Sequence, residues 1–270
     1  MKNSTGKYRF LISVAAMAVL FLFCSCSEST RQYREPRINY DSLAASIPKS
    51  DTLTFIPHEI SDTSSEFHYV ITCKYPELIH YDIDTVKFKI NYAITGRLNE
   101  IIDLFKIDQK FLANDSIGLA PLKDLEGFET RQNYLLIDYG IVNNSRTIMS
   151  MIFNIEQYNA FSAHPISYHK TMNFDMKTGD EIDLMEFVQD DDSTFIGNLS
   201  NISYELIAAK NISDSVWIWN GILPEWENFQ NYNITRDSLI LTFDVYQVAP
   251  YAVGPVRIAV PWVQLILEKK

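Results

Sequence analysis

Cysteine is almost absent, with three residues in 270, at positions 24, 26 and 73. A disulfide-stapled scaffold needs more, so the fold has to rest on its apolar core. Glycine (9) and proline (10) are scarce as well, against 47% hydrophobic and 13% aromatic residues, which excludes collagen-like, low-complexity and disordered chains. Positive charge is in deficit. The 23 Lys and Arg stand against 34 Asp and Glu, a formal net charge of −11. A nucleic-acid partner is excluded on that ground, because a phosphate backbone needs a concentrated basic surface. Beyond residue 26 no apolar run approaches the roughly 18 residues of a membrane-spanning helix. Catalytic signatures are missing too: the chain has no HExxH, CxxC, G-x-S-x-G, G-x-x-x-x-G-K-[ST] or G-x-G-x-x-G.

What is present begins with an export signal. Lys2, Lys7 and Arg9 precede an apolar stretch from Phe10 to Phe23, of the length a signal peptide needs. Cleavage before Cys26 leaves Cys24 and Ser25 at the preceding positions. The arrangement resembles a bacterial lipobox, with Phe23 in place of the usual leucine. Residues 1–25 then read as a lipoprotein signal and Cys26 as the lipidated residue, the competing reading being an ordinary secretory signal. Losing three positive side chains with the signal brings the formal charge to −14. Residues 26–50, rich in Ser, Arg, Glu, Pro and Asn, read as a tether. Cys73 lies in the apolar run Tyr69-Val70-Ile71-Thr72-Cys73 and reads as a buried small hydrophobe.

Along the rest of the chain the pattern is α+β, with antiparallel sheets and two amphipathic helices rather than alternating βαβ units. Phe67 to Cys73 has strand chemistry, ending at Tyr75-Pro76. Asp84-Thr85 caps a helix with Ile90, Ile94, Leu98, Ile101 and Phe105 on one side. Lys106 to Arg131 carries no clear period. Strands follow over 134–142 and 147–158, around the turn Asn143-Asn144-Ser145, and over 167–176, closed by Lys177-Thr178-Gly179-Asp180. Leu184 to Val188 is a short helical or turn segment. A second helix carries Phe195, Leu199, Ile202 and Leu206 inward, and late strands occupy 232–234, 239–245 and 256–260.

The candidate chemistry is thin. The five histidines lack metal-ligand spacing, and His164 and His169 fall five apart on one apparent strand, so no metal site is expected. No catalytic residue and no cofactor is expected either. The run Asp190-Asp191-Asp192 reads as a solvated loop, and Asp175, flanking the Gly179 turn, as a hairpin stabiliser. Among Trp217, Trp219 and Trp226, Trp219 is the candidate for partner contact, weighed against core packing. The strongest candidate surface is Tyr246 to Gly254, with two tyrosines and Pro250 between two strands: a rigid, amphipathic loop with a low ordering cost.

Two stretches carry a resemblance. One is Ala163-His164-Pro165 followed by Asn173-Phe174-Asp175-Met176-Lys177-Thr178-Gly179-Asp180; the other is Phe243 to Gly254, with its Ala249-Pro250-Tyr251-Ala252 core. Together they resemble the RsiV-like extracellular domain (domain of unknown function 3298), found in lysozyme-sensing anti-sigma factors and PdaC-type peptidoglycan deacetylases. Tyr75-Pro76-Glu77-Leu78 with Asn91 looks like its companion (domain of unknown function 4163). The resemblance implies a companion subdomain over residues 51–131 and an RsiV-like domain over residues 132–270. Phe161-Ser162 departs from the glycines the family often has at that turn. With nine residues before the apolar stretch and an end at Lys270, neither a sigma-binding segment nor a deacetylase domain is expected.

The implied function is a non-catalytic binding module, exported and lipid-anchored to the cell envelope, on the outer membrane if the cell has two. Its partner would be a basic lysozyme-type protein or a peptidoglycan fragment, met by Tyr246, Pro250 and Tyr251, with Trp219 added. His164, Pro165, Asp175, Gly179 and Gly254 would shape the fold. Two alternatives stand beside it: an envelope enzyme acting on cell-wall glycan through carboxylates such as Asp175 and Asp244, and a structural assembly lipoprotein.

Overall fold

A computed structural model describes residues 52–114, 127, 131–188 and 192–267. The signal, Cys26 and the tether therefore lie outside the described residues, as do residues 115–126 and most of the acidic run 190–192.

Five strands form the first sheet in the order β1-β2-β3-β4-β5: β1 (Phe55–Ser64), β2 (Tyr69–Leu78), β3 (Asn133–Asn144), β4 (Ile148–Tyr158) and β5 (Ile166–Asp175). Neighbours are antiparallel except β2 and β3, which run parallel from Tyr69 opposite Asn133 to Cys73 opposite Ile137. That exception to the antiparallel expectation follows from the 31-residue helix α1 (Asp84–Asn114), which crosses back between the two strands. The sheet thus combines strands that precede residue 131 with strands that follow residue 132.

Helix α1 covers one face. Ile90, Ile94, Leu98, Ile101 and Phe105 are all buried, in a core with Ile71 and Cys73 of β2, Leu135 and Ile137 of β3 and Met149, Met151 and Phe153 of β4. The helix runs nine residues beyond Phe105. Lys106 pairs with Asp62 of β1 at 2.6 Å, and buried Gln109 donates to Asn159 at 3.3 Å. These contacts come from distant residues, so no local period in 106–114 announces them.

Strand β2 also continues past the expected stop at Tyr75-Pro76, and β1 was not foreseen. Beyond Cys73 the recorded partners of β2 are those of β1 alone, and there Pro57 stands opposite Pro76. Neither imide can donate to a ladder, so both prolines are tolerated where no donor is called for.

The second sheet, β6 (Tyr232–Ile234), β7 (Ser238–Phe243) and β8 (Val256–Pro261), is antiparallel. Alternate residues divide its faces. Leu239, Leu241, Phe243, Ile258 and Val260 pack with Phe195, Leu199 and Ile202 of α3 (Asp192–Ala208). Ile240 turns the other way, onto Val142 and Ile152 of the first sheet. The order of layers is therefore α1, first sheet, second sheet, α3. Between the sheets runs a polar seam. Ser150 Oγ donates to Asn173 Oδ1 (2.6 Å), Asn233 Nδ2 donates to Ser150 Oγ (2.8 Å), and Asn173 also binds the backbone of Ile234 and Tyr232. Short helices α2 (Leu184–Val188), α4 (Ser215–Gly221) and α5 (Trp262–Leu267) complete the described chain.

Candidate functional site: the 244–255 loop and the His164 turn

Strands β7 and β8 are joined by residues 244–255. Val248 and Ala249 anchor this loop in the second core, and a 3-10 turn (Tyr251–Val253) follows Pro250. Gly254 closes the turn at φ 78°, ψ −170°, a backbone state that a side chain disfavours, and its N–H donates to Tyr251 O at 2.9 Å. Tyr246 also has a positive φ, 68°, and is 52% exposed. A non-glycine residue held in the left-handed region stores strain that the surroundings must support, and such strain concentrates at functional surfaces.

The supports are specific. Gln247 Nε2 donates to Gly221 O (3.0 Å) and Asn228 O (2.9 Å), while its Oε1 accepts from Asp244 N (3.2 Å). Trp217 Nε1 donates to Tyr246 O at 3.0 Å. Trp217 is presented by α4, whose first turn is capped by Asp214 Oδ1 accepting from Val216 N and Trp217 N. Between α4 and the loop lies an open groove of about 430 Å³, lined by Asp214, Trp217, Asn220, Tyr246 and Gln247.

The His164-Pro165 turn, just before β5, meets this loop. His164 Nδ1 donates to Pro165 O at 2.9 Å, which in the neutral ring leaves Nε2 as an acceptor facing the Tyr246 hydroxyl at 3.4 Å. The imidazole stacks on Tyr251 with centroids 4.1 Å apart, Tyr251 lies 5.4 Å from Tyr246, and the Tyr251 hydroxyl donates to Pro165 O at 3.1 Å. Two motifs some 80 positions apart in the chain thus form one aromatic cluster. His164 precedes β5 and does not share a strand face with His169.

Beneath the loop, His169 of β5 is buried, and its Nδ1 donates to Asp244 Oδ1 at 2.6 Å; Asn231 Nδ2 donates to Asp244 Oδ2 at 3.2 Å. Both carboxylate oxygens of Asp244 are therefore engaged. Burial, with smaller contributions from Asp108 and Asp244, pushes the neighbouring Tyr168 phenol up to about 12. Asp175 sits six residues along β5 from His169, roughly 20 Å at strand spacing, and its Oδ1 accepts from Lys177 N at 2.7 Å. It therefore does not form a carboxylate pair with Asp244 at the roughly 5–10 Å a glycosidase uses. Gly179 stands at φ 78° against Val86 of α1, where an added Cβ would come within 3.0 Å of backbone.

Trp219 is 41% exposed and meets Tyr204 edge-on at 6.1 Å; Trp217 is the tryptophan that reaches the loop. Gln247, Trp217 and the His169–Asp244 pair were missed in the sequence, where only the helical setting of 215–221 would have distinguished the two tryptophans. Cys73 is fully buried, and burial pushes its thiol up to about 12. Among the described residues no group of three or more His, Cys, Asp or Glu is placed to hold a metal ion, and no helix is long and apolar enough to cross a membrane.

Residues 186–263 match the family described as "Protein of unknown function (DUF3298)". The DUF3298 match ends just past β8 and begins after the His164 turn, so the aromatic cluster straddles its boundary. A crystal structure of a DUF3298 family member from Bacteroides fragilis has the same fold, with a TM-score of 0.57 over 78% of this chain and 91% of that one, at 17% identity. The peptidoglycan-N-acetylmuramic acid deacetylase PdaC of Bacillus subtilis is 32% identical over 133 residues, or 48% of this chain. The match spans 28% of that enzyme's length.

Proposed function

We propose that this protein is a lipid-anchored, non-catalytic binding module of the cell envelope, and that it engages a basic lysozyme-type protein through the cluster of His164, Tyr246 and Tyr251. The observation that carries the reading is the exposed, strained Tyr246, backed by the Tyr251–His164 stack and braced by Gln247 and Trp217. Preordered aromatic residues of this kind give contact area at small entropic cost. The likeness to PdaC, an enzyme named for peptidoglycan, supports an envelope setting. The lipobox-like Cys24-Ser25-Cys26 supports the anchor. Engagement of both Asp244 oxygens supports a structural rather than a catalytic carboxylate. The acidic charge supports a basic partner, with attraction that weakens as salt rises.

The test is titration calorimetry of the full chain in nonionic detergent against a basic animal-type lysozyme, at about 50 and 150 mM salt. Binding that weakens with salt, and at least tenfold on Tyr246→Ala, is the expected result. No heat at either salt, or binding indifferent to Tyr246→Ala, overturns the proposal, and peptidoglycan fragments become the next titrant.

A further inference from the structure

The Tyr75-Pro76-Glu77-Leu78 motif and Asn91 meet in a second place, remote in sequence from the 244–255 loop. Between the β1–β2 edge and the first turns of α1 lies a cleft of about 340 Å³. One wall is α1, where Phe88 and Tyr92, one turn apart, are 69% and 71% exposed with their rings nearly parallel (6.1 Å, 21°). The other wall is the strand pair. The register sets His58 opposite Tyr75, the two rings stack at 5.3 Å, and His58 Nε2 pairs with Glu77 Oε2 at 2.6 Å. Asn91 fixes the spacing of the walls, because its amide accepts from Leu78 N (2.9 Å) and donates to Leu78 O (3.0 Å).

The lining chemistry is one-sided. It holds aromatic faces, the neutral polar Asn91 and Thr95, and one carboxylate with His58 at its Oε2, and among the described residues that line it there is no Lys or Arg. The lysines beside Phe88 are engaged elsewhere, Lys87 with Asp84 at 2.8 Å and Lys89 with Asp180 at 2.9 Å. Aromatic faces are negative and attract cations, and a half-exposed carboxylate beside them adds to that attraction. An anionic ligand would face the Glu77 carboxylate with no Lys or Arg in the lining to offset it, whereas a cation would give that carboxylate, already held through Oε2 by His58, a second partner.

We propose that this cleft receives a basic side chain, lysine or arginine, presented by an exposed segment of a partner protein, with the charge on Glu77 and the aliphatic stem across Phe88, Tyr92 and Tyr75. The site is independent of the Tyr246 surface, and its failure would leave that reading untouched.

The experiment follows fluorescence anisotropy of a labelled Gly-Ser-Lys-Lys-Gly-Ser peptide on the full chain in nonionic detergent, beside the same peptide with norleucine for both lysines. The lysine peptide should bind, and the norleucine peptide at least tenfold more weakly. Glu77→Gln and Tyr92→Ala should each weaken binding about three- to tenfold. Tyr92→Ala removes no charge, so its effect separates the cleft from the general pull of an acidic protein. Because Tyr92 is largely exposed, its melting temperature should stay at the wild-type value, which shows the loss is not unfolding. Equal binding of both peptides, no binding at millimolar protein, or unchanged affinity in Tyr92→Ala overturns the proposal. So does a neutral chito-oligosaccharide that competes in a Tyr92-dependent way, since it would make the cleft a sugar site.

Discussion

A Gly221→Ala substitution places one methyl group where the end of α4 meets the 244–255 loop. The added Cβ would lie 2.0 Å from Gln247 O, 2.7 Å from its carbonyl carbon and 2.9 Å from Val248 Cγ1. An ordinary carbon–oxygen contact is about 3.3 Å, so the carbonyl must retreat by roughly 1.3 Å. It is not free to do so, because the Gln247 side chain is tied to Gly221 O and Asn228 O and Val248 is fully buried. Alanine for glycine in a helix is otherwise favourable by about 0.5–1 kcal/mol, whereas overpacking costs about 1–3 kcal/mol, more when the obstacle is backbone. The net expectation is destabilisation of about 2 kcal/mol, or a fall of about 4–8 °C in Tm for a domain of this size. Gly197 of α3 is the matched control: nothing lies within 4 Å of its added Cβ, so Gly197→Ala should stabilise by about 0.5–1 kcal/mol. Urea unfolding followed by circular dichroism reads both variants. If the two substitutions shift stability in the same direction by similar amounts, the close approach of loop and helix described here is wrong.

Asn173→Ala removes the centre of the seam between the sheets, leaving Ile234 N and Tyr232 O unpaired and Ser150 Oγ with only the bond it accepts from Asn233. With about 1–3 kcal/mol for each buried group left unpaired, a loss of about 3 kcal/mol or more is expected, readable as a lower urea midpoint. Asp62 is held below the usual carboxylate range, chiefly by its hydrogen bond from Lys106. A depressed folded value means the stabilising contribution is present above about pH 4 and fades as the pH falls through the lowered value. Asp62→Asn should therefore cost a few tenths of a kcal/mol at pH 7, as screened surface pairs do, with the difference from wild type shrinking as the pH is lowered below 4.

How much of this was legible in the chain follows from where the determining contacts lie. The α1 stripe and Gly179 are local: a 3.6-residue period and a glycine at positive φ each act within a few residues, whereas the turn expected at 143–145 falls at 145–147, because Asn143 and Asn144 stay in β3 opposite Ser150 and Met149 of β4. The last nine residues of α1 and the whole of β1 were hidden because strand and helix there are held by partners tens of residues away, Lys106 by Asp62 and His58 by Glu77. The parallel β2–β3 pair was hidden for the same reason, since strand direction is a property of the pairing.

The site divides the same way. Pro250, Tyr251 and Gly254 could be chosen as a rigid amphipathic loop on composition, because the chemistry of such a loop is carried by its own residues. That His164 stacks on Tyr251, that Trp217 and not Trp219 supports Tyr246, and that Asp244 is occupied by His169 and Asn231 depend on which elements meet. The sequence by itself determined the α+β class, the main helices, the late strands and the acidic charge, all of which arise from short-range pattern or simple counting. Only the tertiary structure decided which side chains share a surface, because packing of distant segments sets those distances and no short-range period encodes them.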